Sequence, residues 1–276
     1  MISKGIGMKN LQMWIDTFSE IHEEKQLPFN THFAKKQLSV DECQIYAIFH
    51  AAVLLTDGVI TDEQRRLYKF WLPSISDNTS LSELLQSALN FSSEDLKIAI
   101  NIIEKDNLSI HFILDILVFC YVSGEINHAQ KEIINEIINI LNITEKDFND
   151  IIKATQSILG ISNEEKVFIE ENSIINSLSQ SSWAEFSVGN IFLKHEISII
   201  IDTKNSTTSS WYMPFTYPDF KSTVSKGDII QSDEVIAINE NNKEDKILST
   251  FSGYITAITP NDSHTNIQFR YHPIII

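Results

Sequence analysis

Apolar residues recur at helical spacing from the beginning of the chain to about residue 180, and beyond Ser181 the pattern changes to strict alternation. Before that change nearly every apolar segment opens with a residue that caps a helix and a partner three positions on: Thr61 with Gln64, Ser92 with Asp95, Asn127 with Gln130, Thr144 with Asp147 and Ser162 with Glu165. The pattern predicts helices over 9–26, 40–56, 62–72, 80–90, 93–106, 109–123, 128–141, 145–158 and 163–179, with Pro73, Asn142 and Gly160 closing three of them. After the change, Trp211, Met213, Phe215 and Tyr217 alternate with their neighbours, as do Ile267, Phe269, Tyr271 and Pro273, so that half is predicted to be β. The polar stretch 178–182, LSQSS, reads as a short linker. The expected fold class is α+β, an all-α bundle followed by a small all-β domain.

A single pattern occurs twice within the helical half, 66 residues apart. The segment 51–67, AAVLLTDGVITDEQRRL, returns as 117–133, LVFCYVSGEINHAQKEI, and the offset aligns Gly58 with Gly124, Ile60 with Ile126, Thr61 with Asn127 and Gln64 with Gln130. Each unit is therefore an apolar helix, a glycine stop and a capped second helix, which makes a duplicated helical hairpin. The expected organisation is a helical extension over 1–38 packed on the bundle, a helical domain over 39–180 and a β domain over 181–276.

Of the chain's 276 residues 43% are hydrophobic, enough for a substantial core. The formal net charge of -16 removes the basic face that phosphate-rich partners require, so nucleic acid is not an expected partner. A cation or a basic protein partner fits the charge better. Cys43 and Cys120 both lie in apolar helical patterns and read as buried, reduced thiols. No run of eighteen apolar residues occurs and the first residues lack a signal-peptide pattern. The expectation is a cytoplasmic protein without membrane insertion, any peripheral association being made through a partner.

The residues Asp57, Gly58, Ile60, Thr61 and Glu63, and again Gly124, Glu125, Ile126 and Asn127, give the repeated units a resemblance to the TerB-like family. That family is a small all-helical domain of bacterial tellurite-resistance proteins, in which Ala-Asp-Gly ends the apolar helix and a cap and glutamates follow. The resemblance spans roughly 40–158 and implies an interaction or metal-binding surface at this end of the bundle. It implies Asp57, Asp62, Glu63 and Glu125 as oxygen ligands for a divalent cation. The second unit departs from the pattern, with Ser123 and Ala129 at acidic positions. The same residues equally perform ordinary capping, with glycine in a left-handed turn and carboxylates at a helix N-terminus. An EF-hand is excluded by Val53 and Leu55, where its acids would fall.

The segment 224–258 resembles part of a biotinyl/lipoyl-type domain, the barrel-sandwich hybrid fold. It runs through the Gly227-Asp228 turn, an apolar strand from Val235 to Ile238, a hairpin from Glu240 to Asp245, Ile247, and a second glycine turn at Gly253. Lys243 lies where lipoyl domains carry a modified lysine, although the methionine-lysine-methionine biotin signature is absent and Asn242 and Glu244 flank it. Lys243 is thus either a solvated hairpin-tip lysine or a carrier lysine.

Other chemistry is sparse. The eight histidines form no zinc-ligand spacing, Gly5 and Gly7 lack the rest of a phosphate loop, and no G-x-S-x-G elbow occurs. The aromatic segment at 211–220 offers Trp211, Tyr212, Phe215 and Tyr217 either as a core strand face or as a partner-binding patch. The expectation is a non-enzymatic bacterial interaction or adaptor protein connected by resemblance to tellurite or other stress, with no cofactor beyond a divalent cation. A divalent-metal-binding protein and a carrier subunit modified at Lys243 are the alternatives.

Overall fold

The structure is a computed structural model that describes residues 31–77, 79–124, 126–164, 166–170, 174–202, 220–239, 243–244, 246–260 and 266–276. The predicted helix over 9–26 lies outside the described residues, as do Trp211, Tyr212, Phe215, Tyr217 and the side chains of Asp57 and Glu125. The architecture is α+β, with helices concentrated toward the N-terminus and antiparallel sheets toward the C-terminus. The chain divides into two compact units, Met1–Ile137 and Ile138–Ile276.

The first unit holds α1 (Val40–Leu54), α2 (Asp62–Ile75), α3 (Leu81–Leu89), α4 (Ser93–Lys105), α5 (Ser109–Val122) and most of α6 (His128–Ile140). Thr61 and Ser92 close full capping boxes with Gln64 and Asp95, and Ser39 and Ser80 do the same with Glu42 and Glu83. Helix α5 buries every residue from His111 to Cys120, as expected of a helix that is apolar all round and runs through the middle of a bundle. Both cysteines are buried, as their apolar patterns implied. Pro73 does not close α2, which continues to Ile75. So near the C-terminus the missing N–H removes a single ladder bond, and Ser76 N–H still reaches the Leu72 carbonyl at 2.8 Å.

The second unit holds α7 (Glu145–Ile158) and α8 (Ile174–Ser179) together with strands β1 (Val167–Ile169), β2 (Ile191–Leu193), β3 (Ile197–Asp202), β4 (Phe220–Ser222), β5 (Ile229–Ile230), β6 (Val235–Asn239), β7 (Lys246–Leu248), β8 (Gly253–Pro260) and β9 (Asn266–Pro273). Asn142 and Gly160 end α6 and α7 in left-handed conformations, and the residues after them close six-residue turns, Ile143 N–H to Ile138 and Ile161 N–H to Gln156. The predicted helix over 163–179 is replaced by β1 and the short α8. The run Val167-Phe168-Ile169 is β-branched and aromatic, and it finds a parallel partner in Ile191–Leu193. The Ser162 hydroxyl accepts the Glu164 N–H at 3.1 Å in a local turn and opens no helix there. The stretch predicted as a linker is packed, with Leu178, Ser181 and Ser182 all buried.

The sheets run in the orders β3-β9-β8-β5 and β4-β6-β7. The alternation read from the sequence puts Ile267, Phe269 and Tyr271 inside, packed with Ile230, Ile236, Phe251 and Ile255. Gly253 is required by close approach, since a Cβ there would lie 2.5 Å from the His272 carbonyl oxygen. The Gly227-Asp228 turn is tied to the start of β8: Gly227 N–H donates to the Ile255 carbonyl and Ile255 N–H to the Asp228 carbonyl, each at 2.9 Å.

Candidate functional site

Several titratable groups are packed together in the core of the first unit. Asp115 lies in the middle of the apolar helix α5, and its Oδ2 accepts hydrogen bonds from Tyr46 Oη at 2.7 Å and from His32 Nε2 at 3.0 Å. His32 is placed by the 3-10 turn Phe33–Lys36: its Nδ1 accepts the Ala34 N–H at 3.1 Å, and its own N–H donates to the Ser74 carbonyl at 3.0 Å. An Nδ1 that accepts a backbone N–H carries a lone pair, so the ring proton is on Nε2, facing the carboxylate. The aromatic surroundings continue with Trp71 edge-on to His32 and stacked on His50 at 4.5 Å. His111 stacks on Phe33 at 4.2 Å, which fastens the 3-10 turn to α5 a second time.

Burial sets the electrostatics. Asp115 is 1% exposed and His50 is fully enclosed. Burial alone would raise the Asp115 carboxyl, yet the donors His32 and Tyr46 outweigh it and hold the group below the ordinary carboxylate range. Burial lowers His50 and His111 to about 4, so both rings are neutral at pH 7. His50 Nδ1 is 2.9 Å from the Tyr68 hydroxyl, while His50 Nε2 and Trp71 Nε1 are buried without a hydrogen-bond partner among the described residues. The cluster is thus a sealed polar network inside an aromatic core. Sequence reading missed it. Its signal was a lone aspartate inside an apolar helix, one turn after His111.

The duplicated hairpins meet through their two matched glutamines. Gln64 Oε1 accepts the Thr61 N–H at 3.0 Å, and its Nε2 donates to the Phe119 carbonyl at 3.0 Å at the end of the other unit's apolar helix. Gln130 repeats the arrangement in reverse: Oε1 takes the Asn127 N–H at 3.4 Å and Nε2 donates to the Leu54 carbonyl at 3.4 Å. Each amide therefore caps its own helix and bridges to the opposite hairpin. Glutamate could make only the first bond, because a carboxylate has no donor. Gly58 and Gly124 both have positive φ, 83° and 111°, as helix-ending glycines do.

The sequence-predicted ligands divide. Asp62 and Glu63 stand exposed in the first turn of α2, where Glu63 is held below its ordinary value by hydrogen bonds with its own backbone and with Thr61. Asp57 is the last residue of the 3-10 turn Leu55–Asp57. Among the described residues, no group of three or more His, Cys, Asp or Glu side chains is placed to hold a metal ion. Lys243 is exposed in the turn between β6 and β7, which pair antiparallel with Ile238 opposite Lys246. Also among the described residues, no helix is long and apolar enough to cross a membrane.

At the surface of the first unit, Ile45 and Ile48 of α1, Ile98 of α4 and Phe91 line an apolar groove of about 150 Å³. Ile98 stays 45% exposed there. Comparison of the chain with protein-family models, with curated proteins and with solved structures returns no match.

Proposed function

We infer that this chain is a non-enzymatic interaction or adaptor protein of the cytoplasm, its helical half a TerB-like module and its β half an unmodified biotinyl/lipoyl-like barrel-sandwich module. One contrast carries the reading. The clustered groups His32, His50, His111 and Asp115 are sealed in the core, whereas Ile98 stands 45% exposed on the lining of an apolar groove. A groove of this kind, with Glu94 and Asp95 on the same helix as Ile98, suits the apolar face of a basic amphipathic helix from a protein partner. The link to tellurite or other stress rests on the resemblance of the duplicated hairpins. The test is capture from the native host by the tagged full-length chain and by Ile98→Asp. A basic partner retained by the first and lost by the folded second supports the reading, and identical capture by both refutes it.

A carrier role is the second reading, favoured by the exposed position of Lys243 between β6 and β7. Intact mass of the protein from its native host separates the two, because an acyl group on Lys243 adds mass that Lys243→Ala abolishes.

A further inference from the structure

In the second unit, the face of α7 formed by residues 145, 146, 149, 150 and 153 borders a recess of about 430 Å³ with Phe168, Glu170 and Lys194. The spacing places those α7 positions on one side of the helix. Lys194 reaches the recess because β2 pairs in parallel with β1, and its own N–H donates to the Ile169 carbonyl at 2.7 Å.

Glu170 sits between two ammonium groups. Lys146 Nζ donates to Oε2 at 2.7 Å and Lys194 Nζ to Oε1 at 3.0 Å, so both oxygens of one carboxylate are occupied. Hydrogen bonds from Lys146 and then Lys194 pull the Glu170 carboxyl down to about 2. Lys153 borders the same recess, and its side chain has no hydrogen bond or ion pair among the described residues. Of the other acids, Asp150 is buried and already engaged, while Glu145 is exposed at the start of α7. The recess thus holds Lys146, Lys153 and Lys194 together with Glu145, Asp150 and Glu170, and Glu170 bridges Lys146 and Lys194 while Lys153 stays unengaged among the described residues. The Phe168 ring supplies an apolar wall, fixed edge-on against His272 at 4.9 Å.

The geometry points to a binding site for a small polyanion carrying two or more phosphate or carboxylate groups, in which Glu170 occupies the seat the ligand takes. A ligand group replacing the Glu170 carboxylate between Lys146 and Lys194 leaves a second anionic group to engage Lys153. Two charges are required because Glu170 competes as a tethered anion at high effective concentration, which a monovalent anion does not overcome. Lysine suits such a site because its flexible stem lets a point charge follow phosphate or carboxylate without a fixed bidentate geometry.

The proposal is tested by calorimetric titration of the full-length chain with inorganic pyrophosphate and, separately, citrate, at low ionic strength. The expected result is saturable one-site binding that weakens with added sodium chloride, as screened charge pairs do. Lys153→Ala, which removes a side chain with no hydrogen bond or ion pair among the described residues, and the double variant Lys153→Ala/Lys194→Ala should weaken binding, the double by about tenfold or more. Glu170→Gln keeps the side-chain size, removes the competing charge and should tighten binding severalfold. Pyrophosphate binding alone assigns the phosphate class, citrate alone the carboxylate class, and both a general polyanion site. No saturable binding of either probe by the wild type and by Glu170→Gln, or equal affinity in the wild type and the double lysine variant, overturns the proposal.

Discussion

Asp115→Ala removes the one oxygen addressed by both His32 Nε2 and Tyr46 Oη and leaves two donors buried in the core. A buried donor without a partner costs about 1–3 kcal/mol, so the pair costs roughly 2–6 kcal/mol, and no longer desolvating a carboxylate returns some of that. A net loss of about 2–4 kcal/mol is a large share of the roughly 5–15 kcal/mol that keeps a domain folded. Tyr46→Phe is the matched control. It removes one donor and leaves Asp115 its bond from His32, at a cost of about 1.5–3 kcal/mol for a bond to a charged group. In the Asp115→Ala background the same change deletes an orphaned hydroxyl and should be neutral or stabilising. The assay is urea unfolding, with hydrogen exchange of the α5 amides to localise the effect to the first unit. Additive costs in the double variant, or an Asp115→Ala protein within about 0.5 kcal/mol of wild type, would refute the role given to the carboxylate.

The first unit should also weaken in mild acid. His50 and His111 are held near 4 by burial against an ordinary value of 6.5, so between those limits the unfolded chain binds more protons. Stability is therefore complete above pH 6.5 and falls as pH drops toward 4, by up to roughly 3 kcal/mol per histidine at about 1.4 kcal/mol per pH unit. Asp115, held below its ordinary range, adds a further loss at still lower pH. His111→Phe should flatten the slope between pH 6.5 and 4, and an unchanged slope would remove His111 from the account. Gln64→Glu replaces the donor to Phe119 with a carboxylate facing a carbonyl at a site 1% exposed, and should cost about 3 kcal/mol or more. Gln130→Glu should cost less, its bond to Leu54 being 3.4 Å and its exposure 6%. The reverse order in thermal melts would contradict the bridging role.

Most helices and their ends follow from the order of residues, because caps and stops are local. Thr61, Ser92, Asn127 and Thr144 each bond a backbone N–H three residues on, and Asn142 and Gly160 turn the chain within a few positions. The duplication and the inward face of β9 are equally legible, because a period survives in a string of letters. The fate of Val167–Ile169 is a matter of packing, since its strand partner lies at Ile191–Leu193 and no local rule selects a parallel strand at that distance. Packing likewise selects the partners of the matched glutamines: the caps were legible, but the bonds to Phe119 and Leu54 exist only once the two hairpins face each other. The same holds for the polar core and the lysine recess. His32, Tyr46 and Asp115, like Lys146, Glu170 and Lys194, are far apart along the chain, and only the folded arrangement brings them within hydrogen-bond distance.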